Sequence, residues 1–187
     1  MNFIKTFLVT LIVYFGLNVL FAIIYVYTVL PSLPPLYQVP PDAGILIVAM
    51  MFGPITTAPN VAWVDQGIIS LIHSFQGGDP LMATLMFLYY VLPALLAVII
   101  GGIVADSTTI AFMSWFLIAI VGTAVYTIIM FVAGSDPLVS PSLYYGIYVY
   151  LWYSFGPTDL YIAMIFFGLI NAFLYGCVSF LVTRKKL

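Results

Sequence analysis

A chain of 187 residues that is 65% hydrophobic and 5% charged, with a mean hydropathy of +1.23, has too little polar surface to face water all round, because an ordinary soluble domain carries about 25% charged residues. Six aspartates and no glutamate stand against four lysines and arginines for a formal net charge of -2, so no basic stripe exists to follow a phosphate backbone and nucleic acid is excluded as a partner. The lone Cys177 rules out an intramolecular disulfide and an all-cysteine metal site, and its apolar surroundings predict a buried packing role.

The first apolar run, residues 3–30, follows Met1-Asn2-Phe3-Ile4-Lys5. It is too long for the apolar region of a signal peptide and no Ala-x-Ala pattern follows it, so it reads as a retained first helix. Three later stretches, 81–104, 108–132 and 160–182, also reach the roughly 20 residues needed to cross a hydrocarbon core about 30 Å thick. Together they predict one domain: an all-α integral membrane protein, a polytopic bundle of four transmembrane helices.

After the first helix, Pro31, Pro34, Pro35, Pro40 and Pro41 remove backbone donors and fix φ, which predicts a stiff, extended loop. Residues 44–57 are apolar but short for a crossing and contain Gly53-Pro54, as re-entrant or interfacial pieces do. Asn60 is placed to cap a helix to Phe75, with Val61, Val64, Ile68, Leu71 and Phe75 on one face and Gln66, Ser70 and His73 on another,. Residues 44–75 therefore form either a short membrane hairpin, giving six crossings, or two surface elements, giving four. Both return the chain to the same side.

Farther on, Pro93 is expected to kink the second long helix,. Between the third and fourth lies Tyr144-Tyr145-Gly146-Ile147-Tyr148-Val149-Tyr150-Leu151-Trp152-Tyr153, whose rings with one polar end predict an interfacial helix or loop. Lys5 stands at one end of the chain and Arg184-Lys185-Lys186 at the other, with no basic residue between. The positive-inside rule then places both termini in the cytoplasm of a multi-pass cell-membrane protein, with Asp106 in an inward turn and the other five aspartates outward, or Asp65 within the membrane if the 44–75 hairpin inserts.

Small residues recur at four-residue spacing: Gly168, Ala172 and Gly176; Ala97, Gly101 and Ala105; Ala119, Thr123 and Thr127. Such stripes let helix backbones approach closely, and predict packing seams within the bundle. Asn18 and Asn171 fall near the middles of the first and last long helices, and an amide left unpaired in hydrocarbon is costly, so both are expected to face the interior.

His73, the only histidine, lies two turns after Asp65 on the amphipathic segment, but no His-x-x-His, His-Glu-x-x-His or Cys-x-x-Cys spacing supports a metal. Neither Gly-x-Ser-x-Gly nor Gly-x-Gly-Asp occurs, and paired carboxylates would have to come from loop aspartates, so no catalytic residue, cofactor or enzyme activity is expected.

The distinctive residues gather toward the outer side: Trp63, Asp65, Gln66 and His73 on the amphipathic segment, and Tyr144, Tyr148 and Trp152 on the aromatic one. Aromatic walls with a few placed polar groups suit a small-molecule pocket. The six-crossing version has outward connections near residues 31–42, 76–80 and 134–159, with Gly53-Pro54 followed by Asp65. In layout it is similar to the substrate-binding S components of energy-coupling-factor vitamin transporters, and the resemblance implies a transport component that captures a small solute from outside. Scarce charge, tight inner loops and small-residue stripes fit a second reading, a non-catalytic accessory subunit of a larger respiratory or energy-converting complex, with other membrane subunits as partners beside the lipid bilayer. A channel is disfavoured, because the long helices show no row of polar residues able to wet a pore.

Overall fold

Asn2 starts the first helix: its Oδ1 accepts the Lys5 N–H at 3.1 Å and its carbonyl accepts the Thr6 N–H at 3.2 Å, using donors that a first helical turn leaves free. The computed structural model describes residues 2–28, 52, 55–56, 72, 76–77, 80–132 and 142–186. Its helices are α1 (Phe3–Thr28), α2 (Pro80–Val104), α3 (Thr108–Val132) and α4 (Ser142–Lys186), and no strand occurs among the described residues.

Among the described residues three helices are long and apolar enough to cross a membrane, through Phe3–Phe21, Thr108–Ile129 and Tyr161–Lys185. The 25 residues of α2 rise about 37 Å, and its portion Leu88–Val104 is apolar. This helix continues through Pro93, whose ring nitrogen cannot donate to the Tyr89 carbonyl. Ala105, Asp106 and Ser107 connect α2 to α3. Ser107 caps α3 by accepting the Ile110 N–H on Oγ at 3.2 Å.

At the last helix the structure departs from expectation. The aromatic segment is not a separate interfacial element; the helical backbone runs from Ser142 through Gly156 and Pro157 to Lys186. Its 45 residues rise about 67 Å, more than twice the roughly 30 Å core of a bilayer. Apart from Gly146, no turn-forming residue interrupts residues 143–153, and proline is tolerated in membrane helices where neighbours satisfy the freed backbone groups.

Packing is set by which faces carry small side chains. The most extensive interface joins α3 to α4; α1 packs on α2 and α3, and α4 also packs on α2. So α1 and α4 occupy opposite corners and meet through the other two. Gly168 lies against Thr123 and Gly101 against Thr10, and a methyl added at Gly102 would stand 2.8 Å from the Ser179 carbonyl oxygen. Ala97, Ala105, Ala119 and Ala172 are fully buried. The small-residue stripes are thus the internal seams.

These contacts also fix direction. Thr10 near the start of α1 meets Gly101 near the end of α2, and Thr183 near the end of α4 donates to the Gly102 carbonyl at 2.9 Å. The beginning of α1, the end of α4 and the α2–α3 turn therefore share one end of the bundle, where Lys5, Arg184 and Lys185 are exposed. Large apolar side chains face outward around the barrel of helices, among them Ile4, Leu8, Ile12, Val121, Ile128, Phe166 and Phe173. Cys177 is among the exposed residues as well. The expectation that it is buried fails because an apolar residue in a membrane bundle satisfies its hydrophobicity against lipid as well as against protein.

Candidate functional site

Counting outward from the shared end, α1 buries Thr6, Thr10, Tyr14 and Asn18, each at most 1% exposed. Four-residue spacing puts them one above another on a single face. From the same end, α4 buries Thr183, Ser179, Tyr175 and Asn171, none more than 4% exposed. The two antiparallel helices thus carry the same order of chemistry at matching depth: hydroxyl, hydroxyl, phenol, amide. Rows of polar residues do exist, contrary to the expectation that disfavoured a channel. They are closed, since every member is buried.

Trp115 of α3 joins the rows at the phenol level. Its fully buried indole stands edge-on to Tyr14, with ring centroids 5.4 Å apart and an interplanar angle of 80°. It meets Tyr175 at 5.6 Å and 61°, arrangements that suit the aromatic quadrupole. The indole Nε1–H donates to the Asn171 carbonyl at 3.4 Å. One turn farther out, each side-chain amide donates to a different backbone carbonyl: Asn18 Nδ2 to Tyr14 at 2.9 Å, Asn171 Nδ2 to Ile55 at 2.6 Å.

The Asn171 bond brings Ile55, from the short 44–57 stretch, into the site. Ile55 is 2% and Thr56 6% exposed, and Ile55 belongs to the core cluster of Tyr14, Ala94, Trp115 and Ala172. Phe52 stacks edge-on against Phe15 at 5.3 Å and fills the space beside Gly122, where an added methyl would meet its ring at 2.7 Å. Gly122 lies 14 residues into α3 and Asn171 14 residues before Lys185, so both stand about 21 Å from the shared end. Residues 52, 55 and 56 are inside the bundle at that depth, next to the helix-breaking Gly53-Pro54 pair in the sequence. Ile55 and Thr56 are helical, and the Asn171 amide supplies a donor to the Ile55 carbonyl at that depth.

Several interior oxygens have no hydrogen-bond partner in the protein: Thr6 Oγ1, Asn18 Oδ1, Ser114 Oγ and Ser179 Oγ, on residues at most 1% exposed. A buried polar group left without any partner costs about 1–3 kcal/mol. Thr123, by contrast, donates to the Ala119 carbonyl at 2.7 Å, and Thr183 shares its single hydroxyl hydrogen between the Gly102 and Ser179 carbonyls, both at 2.9 Å.

Of the residues singled out by sequence, the structure brings Asn18 and Asn171 to the interior. Trp63, Asp65, Gln66 and His73 lie outside the described residues, as do the side chains of Tyr144, Tyr148 and Trp152, whose backbone belongs to α4. No group of three metal-ligating side chains gathers among the described residues. Two outward-facing apolar grooves are present, one of about 700 Å³ along α4 by Phe173 and Cys177 and one of about 310 Å³ between α3 and α4 by Ala124 and Leu169. Neither touches the polar rows.

Helices with lipid-compatible outer faces around a partly polar interior define the chain as an all-helical membrane protein. Comparison with protein-family models, with curated proteins and with solved structures finds no match.

Proposed function

We propose that the chain is a transport component of the cell membrane that captures a small, uncharged or weakly charged solute from the outer side and leads it toward the polar rows. In this reading all four helices cross, the shared end bearing Lys5, Arg184 and Lys185 is cytoplasmic, and residues 44–75 insert from outside. The outer capture surface is assigned to Trp63, Asp65, Gln66 and His73 with Tyr144, Tyr148 and Trp152.

The observation that carries the reading is the pair of facing polar rows. Some members of the rows are tied to backbone carbonyls, but others keep oxygens without a partner, and polar groups held inside membrane segments beyond what packing uses are candidates for a substrate pathway. The depth of Ile55 and its bond to Asn171 add a second support, because they bring a residue of the stretch expected to insert from outside into the interior beside the polar rows.

The test is purification of the tagged full chain in mild detergent, with mass spectrometry of whatever proteins and small molecules travel with it, followed by flux assays in liposomes. A lone bundle that carries a small molecule, or moves one, supports the reading. Stoichiometric recovery within a larger enzyme complex, with no flux by the isolated chain, replaces it with the accessory-subunit reading.

A further inference from the structure

We infer that the outward groove of α4, with Arg184 and Lys185 at its foot, is a binding site for an anionic phospholipid, one acyl chain lying along the helix and the phosphate held by the two cations. The site needs a bilayer around the bundle and nothing from the transport reading.

Register along α4 aligns the two halves of the site. The groove of about 700 Å³ is lined by Phe166, Leu169, Phe173, Leu174, Cys177 and Leu181, among others, and residues three or four apart share one face of a helix. From Phe166 to Leu181 the helix rises about 22 Å, more than the ~15 Å of hydrocarbon that one leaflet contributes, so an acyl chain fits lengthwise. Arg184 comes 18 residues after Phe166, which is five full turns, and Lys185 comes four residues after Leu181. Both cations therefore continue the line of the groove, and both are exposed. One wall is braced from α3, where the rings of Phe112 and Phe116 meet Phe173 at 6.0 and 5.2 Å.

Charge selects the occupant. A guanidinium and an ammonium suit phosphate oxygens, and a headgroup of net negative charge leaves that attraction whole, whereas a zwitterionic one brings a cation of its own. Among the described residues this end of the bundle holds three cations, Lys5, Arg184 and Lys185, against one carboxylate, Asp106. A second copy fits the face poorly. Two chains inserted in the same direction and meeting here about a two-fold axis would set Arg184 and Lys185 against their own counterparts, and like charges so placed repel.

Cys177, the only cysteine, provides a reporter inside the groove. The full chain in neutral-detergent micelles is labelled there with bimane and titrated with phosphatidylglycerol or phosphatidylcholine carrying the same brominated chains, which quench the dye on contact. Each cation facing an anionic headgroup layer contributes about a fivefold preference, so phosphatidylglycerol is expected to half-saturate quenching at a mole fraction at least tenfold lower than phosphatidylcholine. Arg184→Gln with Lys185→Gln should reduce the preference below threefold. So should 1 M salt on the unsubstituted chain, where the screening length is about 3 Å, which keeps the test valid if the double variant folds badly. A bimane on Leu117→Cys in a Cys177→Ser background marks an exposed position of α3, a helix without lysine or arginine, and should show less than threefold preference. Equal quenching by the two lipids at Cys177, an equal preference at Leu117, or a preference that survives both glutamines and salt overturns the inference. Native mass spectrometry of the unlabelled chain is expected to find phosphatidylglycerol retained on a monomer; a dimer free of lipid gives the groove to a second copy and overturns it too.

Discussion

Replacing Trp115 with alanine removes the ring that connects the two polar rows. In a soluble core the cost would include the loss of transfer from water, but here the alternative solvent for much of the chain is lipid, as apolar as the core, so that contribution largely disappears. What remains is the cavity and the lost ring contacts. Indole minus methyl leaves roughly 140 Å³, which at about 24 cal/mol per Å³ comes to about 3 kcal/mol if the neighbours do not relax. The edge-on contacts with Tyr14 and Tyr175 are worth about 0.5–1.5 kcal/mol each. The hydrogen bond to the Asn171 carbonyl, at 3.4 Å, is long and adds little. The expected loss is about 4 kcal/mol, and about 1–2 kcal/mol for Trp115→Phe, which keeps one ring between the phenols. The assay is titration of bilayer-like mixed micelles with dodecyl sulfate, followed by far-ultraviolet circular dichroism. A loss below about 1 kcal/mol for Trp115→Ala would refute the reasoning, since it would mean the rows do not depend on this ring.

Asn171→Leu leaves the buried Ile55 carbonyl without its donor and is expected to cost about 1–3 kcal/mol in the same titration, with faster proteolysis near Gly53-Pro54. Gly168→Leu drives a side chain into Thr123, so the α3–α4 interface should open and the midpoint fall by more than for Gly16→Leu, where nothing lies within 4 Å. Thr183→Val keeps shape but removes the hydrogen donated toward Gly102 and Ser179; the expected loss is about 0.5–1.5 kcal/mol. Ile12→Arg puts a charge on an outward residue that is 67% exposed, and if that face meets lipid, insertion should worsen by about 2.5–3.5 kcal/mol, measured as the membrane-integrated fraction. Normal integration would show that the face is not in hydrocarbon.

The bounds of the first three helices were legible because composition and length agree there, and the tight Ala105-Asp106-Ser107 turn leaves no room for another element; the caps supplied by Asn2 and Ser107 emerged only with the structure. The seams were legible too, since small residues at four-residue spacing have one common use in lipid. Cys177 was misread because hydropathy does not separate lipid-facing from protein-facing positions. The polar rows escaped notice for a related reason. Threonine, serine and tyrosine barely dent the hydropathy of an apolar helix, and the four-residue period shows only when all four members on α1 are compared with those on α4. The depth of Ile55 could not be read from residues 44–57 at all, because a short apolar stretch with Gly-Pro suits either a surface or an inserted position; its contact is with a residue 116 positions away.

That distance has a consequence for how the protein is made. Synthesis makes α4 after α1, α2 and α3, yet α4 supplies the donor for Ile55, one ring beside Trp115 and the bond to Gly102. At about 5–20 residues per second, the stretch after Val132 takes several seconds to synthesise. During that interval the first three helices hold an incomplete bundle whose unpaired carbonyls and hydroxyls meet lipid or the insertion machinery. Assembly of the interior is therefore a single late event, and a chain truncated before α4 would carry a signature of incompleteness that membrane quality control can detect.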